Sequence, residues 1–114
     1  MKFIFFTCLL VFTQMTGHAQ TQVEMNLQSA AEVKKADAEM TKAYKDAMSY
    51  QDEKGKKLLL EAQRAWIKYK EAHCKSAAYA LEGGSAYPQA YNICITELTK
   101  ARTKELYELF EDRD

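Results

Sequence analysis

A single proline, Pro88, and only four glycines punctuate the 114 residues of this chain. So few breakers argue against the short strands and frequent turns of a sandwich or barrel, and they favour a few long helices. An excess of charge of one sign is also missing, since 16 basic residues balance 16 acidic ones. Without a basic surplus the chain lacks the electrostatic footprint of a nucleic-acid-binding protein. It will also exert little long-range pull on any charged partner. No apolar run approaches the roughly 20 residues needed to cross a bilayer. There is no glycine-rich nucleotide loop, and no carboxylate pair stands apart from the general surface charge. Nothing in the chain argues for catalysis or for a cofactor.

What is present begins with a leader. Met1-Lys2 supplies a positive start, and the ten residues from Phe3 to Phe12 form an apolar stretch. Gly17-His18-Ala19 then sets small residues at −3 and −1, the pattern of a secretory signal cleaved after Ala19. Cys8 sits inside the apolar stretch behind Phe5-Phe6-Thr7, where a lipoprotein signal would have small residues, so it is expected to leave with the leader. The mature chain from Gln20 onward is expected to be one domain, exported to a periplasm or beyond, with no stable membrane insertion. Losing Lys2 removes one of 16 basic residues and leaves a net charge of −1. Two cysteines remain, Cys74 and Cys94, in a compartment that permits oxidation. Two cysteines admit one intramolecular pairing.

The mature segment reads as three helices. Thr21-Gln22-Val23-Glu24 resembles a capping box and opens the first. Leu27, Ala30, Met40, Tyr44 and Ala47 share a face, with Val33 and Asp37 between them, and the helix is expected to end near Tyr50. Asp52 is a plausible N-cap for the second helix, in which Leu59, Ala62, Trp66, Tyr69, His73 and Ser76 alternate steps of three and four. That helix should reach Leu81 and break at Gly83-Gly84, with Pro88 in the first turn of the third. The third carries Tyr91, Cys94, Ile95, Leu98, Leu106 and Leu109, with Arg102 in the gap. The fold class is therefore all-α, a small antiparallel up-down-up arrangement. Cys74 lies about two turns before one helix ends and Cys94 about two turns into the next, so the two come level.

Several side chains interrupt this apolar plan. Asp37 and Arg102 fall on otherwise apolar seams, where an ion pair between them would satisfy both and fix the register. Trp66 and Tyr69 are expected at the centre of a small core. His73 reads as structural, because a metal site needs several converging ligands and free thiols. Tyr79, Tyr87 and Tyr91 gather near the Gly-Gly connection, where half-buried packing is favoured over an exposed protein-binding patch.

The run Ala62-Gln63-Arg64-Ala65-Trp66-Ile67-Lys68-Tyr69-Lys70-Glu71-Ala72-His73-Cys74 resembles the central motif of the lysozyme-inhibitor LprI-like family, approximately A-Q-x-x-W-x-x-[YF]-R-x-x-x-C. Glu82-Gly83-Gly84-Ser85, Cys94 and the run from Leu98 to Thr103 fit as well. Upstream, Gln22 to Asn26 and Ala36 to Met40, with Tyr44, complete a match over essentially the whole mature chain. Two positions depart from the pattern. Gln28 stands where many members have a further cysteine, and Lys70 replaces an arginine, which keeps the charge but loses bidentate hydrogen bonding.

The resemblance implies envelope localisation, a helical disulfide-bonded fold and, for some members, inhibition of lysozyme. The expected function is a secreted or periplasmic binding protein, with lysozyme as the partner and occlusion of its cleft as the mechanism. Gly83, Gly84, Ser85 and Tyr87 are the candidate insertion loop. An acidic patch of Glu108, Glu111, Asp112 and Asp114 would meet a basic partner. Asp37, Tyr44, Trp66, Tyr69 and Arg102 are assigned to structure. The alternative is an assembly protein of the envelope that docks on a protein partner and inhibits nothing.

Overall fold

The computed structural model describes residues 20–111, so the leader with Cys8, and Asp112 and Asp114 of the acidic patch, lie outside the described residues. Within them the chain is helical throughout: α1 is Gln22–Ser49, α2 is Glu53–Ala78 and α3 is Tyr87–Glu111. A short 3-10 turn, Tyr79–Leu81, extends α2. The caps are those the sequence suggests. Thr21 Oγ1 accepts from the Glu24 N–H at 3.1 Å, and Asp52 Oδ1 accepts from the Gly55 N–H at 2.8 Å. Each satisfies one of the four N–H groups that a helix start leaves unpaired.

The arrangement is up-down-up, and α1 lies parallel to α3. Its most extensive packing is with α3, whereas α2 runs antiparallel to both and touches α1 little. The core divides by chemistry along its length. At one end, Met40, Ala43, Ala47, Leu59 and Leu106 form an apolar cluster, covered by Tyr44, Met48, Trp66, Tyr107 and Phe110. Tyr50 stacks on Phe110 there, with ring centroids 4.8 Å apart. At the other end the joints are polar. Asn92 Nδ2 donates to Ser29 Oγ at 3.2 Å, and Gln22 Nε2 donates to Gln89 Oε1 at 3.1 Å. The disulfide Cys74–Cys94 closes this end, with 5.6 Å between the two Cα atoms. Cys74 is fully buried.

The helix faces differ from the apolar seams expected from sequence. In α1 the buried positions are Ser29, Ala36, Met40, Ala43 and Ala47, while Leu27 is exposed and so is Asp37. In α2 the inward positions are Leu59, Gln63, Trp66, Lys70, Cys74 and Ala78, whereas Ala62, Tyr69, His73 and Ser76 face solvent. Trp66 packs on the core cluster as expected, but Tyr69 does not. In α3, Leu109 is exposed and Thr96 and Thr99 take buried places. The cause in α2 is an apolar arc wider than its neighbours can cover. The core takes one flank of the arc, which includes Gln63, and leaves the other outside.

The disulfide closes a loop of 20 residues in sequence separation. Restricting that loop in the unfolded chain is worth about 3 kcal/mol on the chain-entropy model. Denaturant unfolding of Cys94→Ser, or of the reduced protein, is expected to show a loss of about that size with helix content retained.

Candidate protein-binding surface

The connection between α2 and α3 is held in shape from several sides. After the 3-10 turn, Gly83 takes φ +81°, a region open to glycine without strain. The Gly84 N–H donates to Leu81 O at 2.9 Å, and the Tyr87 N–H donates to Gly84 O at 3.3 Å. Asn26 Nδ2 reaches across from α1 to donate to Ser85 O at 2.9 Å. Of the four residues read as the insertion loop, Gly83, Gly84 and Ser85 form one exposed run, whereas Tyr87 is half-buried. Tyr87 stacks on Tyr91, 5.9 Å between centroids, and so belongs to the base of the loop. Burial, then the nearby Glu71 carboxylate, then Tyr87, raise the Tyr91 pKa above that of an ordinary tyrosine.

Two side chains beside the loop are more exposed than expected, since the sequence favours half-buried packing for Tyr79 and marks Leu81 only as the end of the second helix. Tyr79 is 71% exposed and Leu81 44%. Both lie where a helix was expected to continue, and an apolar residue in a helix ordinarily reads as core. The signal that separates them is their place after Ala78, the last buried position of α2.

The expected Asp37–Arg102 ion pair is not formed. Arg102 Nε instead donates to Gln63 Oε1 at 3.0 Å, and its guanidinium pairs with Glu105 at 3.1 Å. Gln63 is buried, and its Nε2 points at Met40 Sδ, 3.5 Å away. This amide therefore links all three helices. Asp37 is excluded because it follows Ala36, and successive residues point about 100° apart on a helix.

His73 is exposed and lies 5.4 Å from the Tyr69 ring. Among the described residues no group of three or more His, Cys, Asp or Glu could hold a metal ion. Cys74 and Cys94 are joined in the disulfide. No helix of the described residues is long and apolar enough to cross a membrane.

A family model described as lysozyme inhibitor LprI matches residues 13–106. The chain belongs to the LprI family. It is also 33% identical over 109 residues to an uncharacterised protein of Rhizobium meliloti (strain 1021), an alignment covering 84% of this chain and 78% of that one. No solved structure matches the chain. In this LprI chain the motif residues Gln63, Trp66, Lys70 and Cys74 turn inward, whereas its Ala62 and Tyr69 face solvent. Lys70 Nζ lies 4.7 Å from the Trp66 ring centre, so the lysine that replaces the family arginine keeps a cation–π contact.

Two measurements follow from this geometry. Gln63→Ala is expected to destabilise the protein by about 1–3 kcal/mol, by leaving a half-buried arginine N–H without its acceptor. Asp37→Ala should stay within about 0.5 kcal/mol of the parent in the same denaturant titration. For Tyr91, the folded state holds the phenolic proton more tightly than the unfolded chain. That contribution is present below the ordinary tyrosine pKa of about 10 and is lost as pH rises through the higher folded value. Tyr91→Phe should therefore lose less stability than the parent when the pH is raised past about 10.

Proposed function

We propose that this LprI protein is exported by its 1–19 leader and inhibits lysozyme by occlusion, with the connection from Leu81 to Ser85 entering or capping the partner's cleft. The observation that carries the reading is an exposed loop, braced on both sides, in a chain of the lysozyme inhibitor family. The loop sits between the Cys74–Cys94 disulfide and the Asn26 side chain of α1. Such bracing lowers the ordering entropy that binding must overcome. Leu81 supplies apolar area at the rim, while Gly83 and Gly84 let a partner approach the backbone closely. The mode of action is binding alone, with no bond made or broken.

Charge contributes in a secondary way. Glu108 and Glu111 are exposed near the end of α3, but they lie at the opposite end of the molecule from the loop. Complementarity to a basic lysozyme would therefore act on encounter and not in the loop contact itself. Docking on an envelope partner without inhibition is the second reading, and the exposed flank of α2 favours it.

The test is an inhibition titration of the oxidised mature protein against several lysozyme types. Saturable inhibition is expected, and it should be lost on reduction. Leu81→Ala with Ser85→Ala should weaken inhibition at least about tenfold, the effect of losing one modest interface anchor, with an unchanged circular dichroism spectrum. Full inhibition by that variant would remove the loop from the mechanism. No inhibition of any lysozyme would move the function to the second reading.

A further inference from the structure

The exposed flank of α2 carries a regular pattern that the monomer does not use. Gly55, Leu58, Ala62, Ala65, Tyr69, Ala72 and Ser76 of α2, continued by Tyr79 at the start of the 3-10 turn, follow one another in strict steps of three and four, and none is charged. All are solvent-exposed except Gly55, which is half-buried. Leu58 and Tyr69 are each 56% exposed and Tyr79 is 71% exposed. At about 100° per residue this row lies roughly 140° around α2 from the buried Leu59, Gln63 and Cys74. It has the spacing of the a and d positions of a coiled coil, kept for more than three heptads.

We propose that this face is the interface of an antiparallel homodimer, with α2 of one chain packed on α2 of a second copy. The commitment to a second copy rests on the self-complementarity of the row. In the antiparallel register whose dyad falls at Ile67, Gly55 opposes Tyr79 of the second copy and Leu58 opposes Ser76. In the same register Ala62 opposes Ala72, and Ala65 opposes Tyr69. Every large side chain meets a small one, and the remaining layer pairs two alanines, so side-chain sizes are matched along the seam. A two-fold interface requires this self-matching property, in which a patch is complementary to itself.

Two further observations agree with that register. A groove of about 640 Å³ opens at the start of α2, lined by Tyr50, Gly55, Leu58, Ala62, Arg102 and Leu109 among others. It lies where Tyr79 of the second copy arrives, so the most exposed aromatic among the described residues has a receptacle. The absence of a side chain at Gly55 keeps that end open, since a Cβ there would also meet Gln51 Oε1 at 2.5 Å. The flanking charges match as well. Glu61 and Lys75 occupy positions beside the row that face each other across an antiparallel pair, giving Glu61–Lys75 contacts twice. Lys68 faces Lys68 at the dyad, a like-charge contact that keeps the association modest.

Sedimentation velocity of the oxidised mature protein, across a dilution series from about 500 to 1 µM, tests the proposal; a dimer with a Kd in the micromolar range is expected. Ala65→Glu places two carboxylates in the seam and should weaken the dimer at least about thirtyfold. Because Ala65 is exposed on a helix and glutamate is a good helix former, the fold should be unaffected. Lys75→Glu should weaken the dimer about tenfold, and adding Glu61→Lys should restore it, because the charges are then exchanged across the dyad. A monomer at every concentration overturns the proposal and leaves this face to a different protein. A dimer indifferent to Ala65→Glu, or one that the charge exchange fails to restore, overturns it too. The proposal goes beyond the inhibitor reading and fails separately from it. Ala65→Glu leaves the Leu81 to Ser85 connection intact, so the monomeric variant can still be titrated against lysozyme.

Discussion

The disulfide between Cys74 and Cys94 is the constraint on which the rest of this small domain depends. The three helices do not share one apolar core along their whole length. Where α1 ends, α2 begins and α3 ends, Leu59 and Leu106 close against Met40, Ala43 and Ala47. Burial of apolar area holds that end together. The other end buries Ile95 but otherwise small and polar side chains, with Ser29, Asn92, Gln22 and Gln89 joined by hydrogen bonds. Net contributions from such bonds are individually small. A covalent link at this end does what the missing aliphatics would otherwise do. It also sets the base of the connection that follows α2.

Gln63 plays the corresponding part in the middle of the molecule. A buried amide is tolerated only with partners, and here its oxygen accepts from Arg102 while its nitrogen faces Met40. Because α2 has little packing with α1, this amide and the disulfide add to Leu59 and Trp66 in fixing its position. Hence α2 can keep an inward face of mixed chemistry, with glutamine, tryptophan, lysine and cysteine in succession. An apolar flank is left over on its other side. The same division separates the two surfaces argued above: a braced loop for a partner protein, and a self-complementary helix face for a second copy.

Helix number, helix ends and the disulfide were legible in the sequence because each depends on local or counting arguments. Thr21 and Asp52 are side chains that can cap, Gly83 is a residue that can take a positive φ, and Cys74 and Cys94 stand level across a short connection. The loop's exposure at Gly83, Gly84 and Ser85 was legible for the same reason. The inward faces were not. Hydropathy placed Ala62, Tyr69 and His73 in the seam of α2, yet the buried set is shifted toward Gln63 and Cys74. The cue lay in the recurring motif, whose glutamine, tryptophan and cysteine mark the inward face better than apolarity does. Asp37 failed likewise, since a one-position error on a helix moves a side chain by about 100°.

By itself the sequence determined that this is a helical, disulfide-linked domain of three long elements, because breakers, caps and cysteines act over a few residues. Only the tertiary structure decided which flank of each helix is buried, what Arg102 bonds to and which apolar side chains remain outside. Those outcomes depend on how far neighbouring helices can cover a wide apolar arc. That is a property of three helices together and of none of them alone.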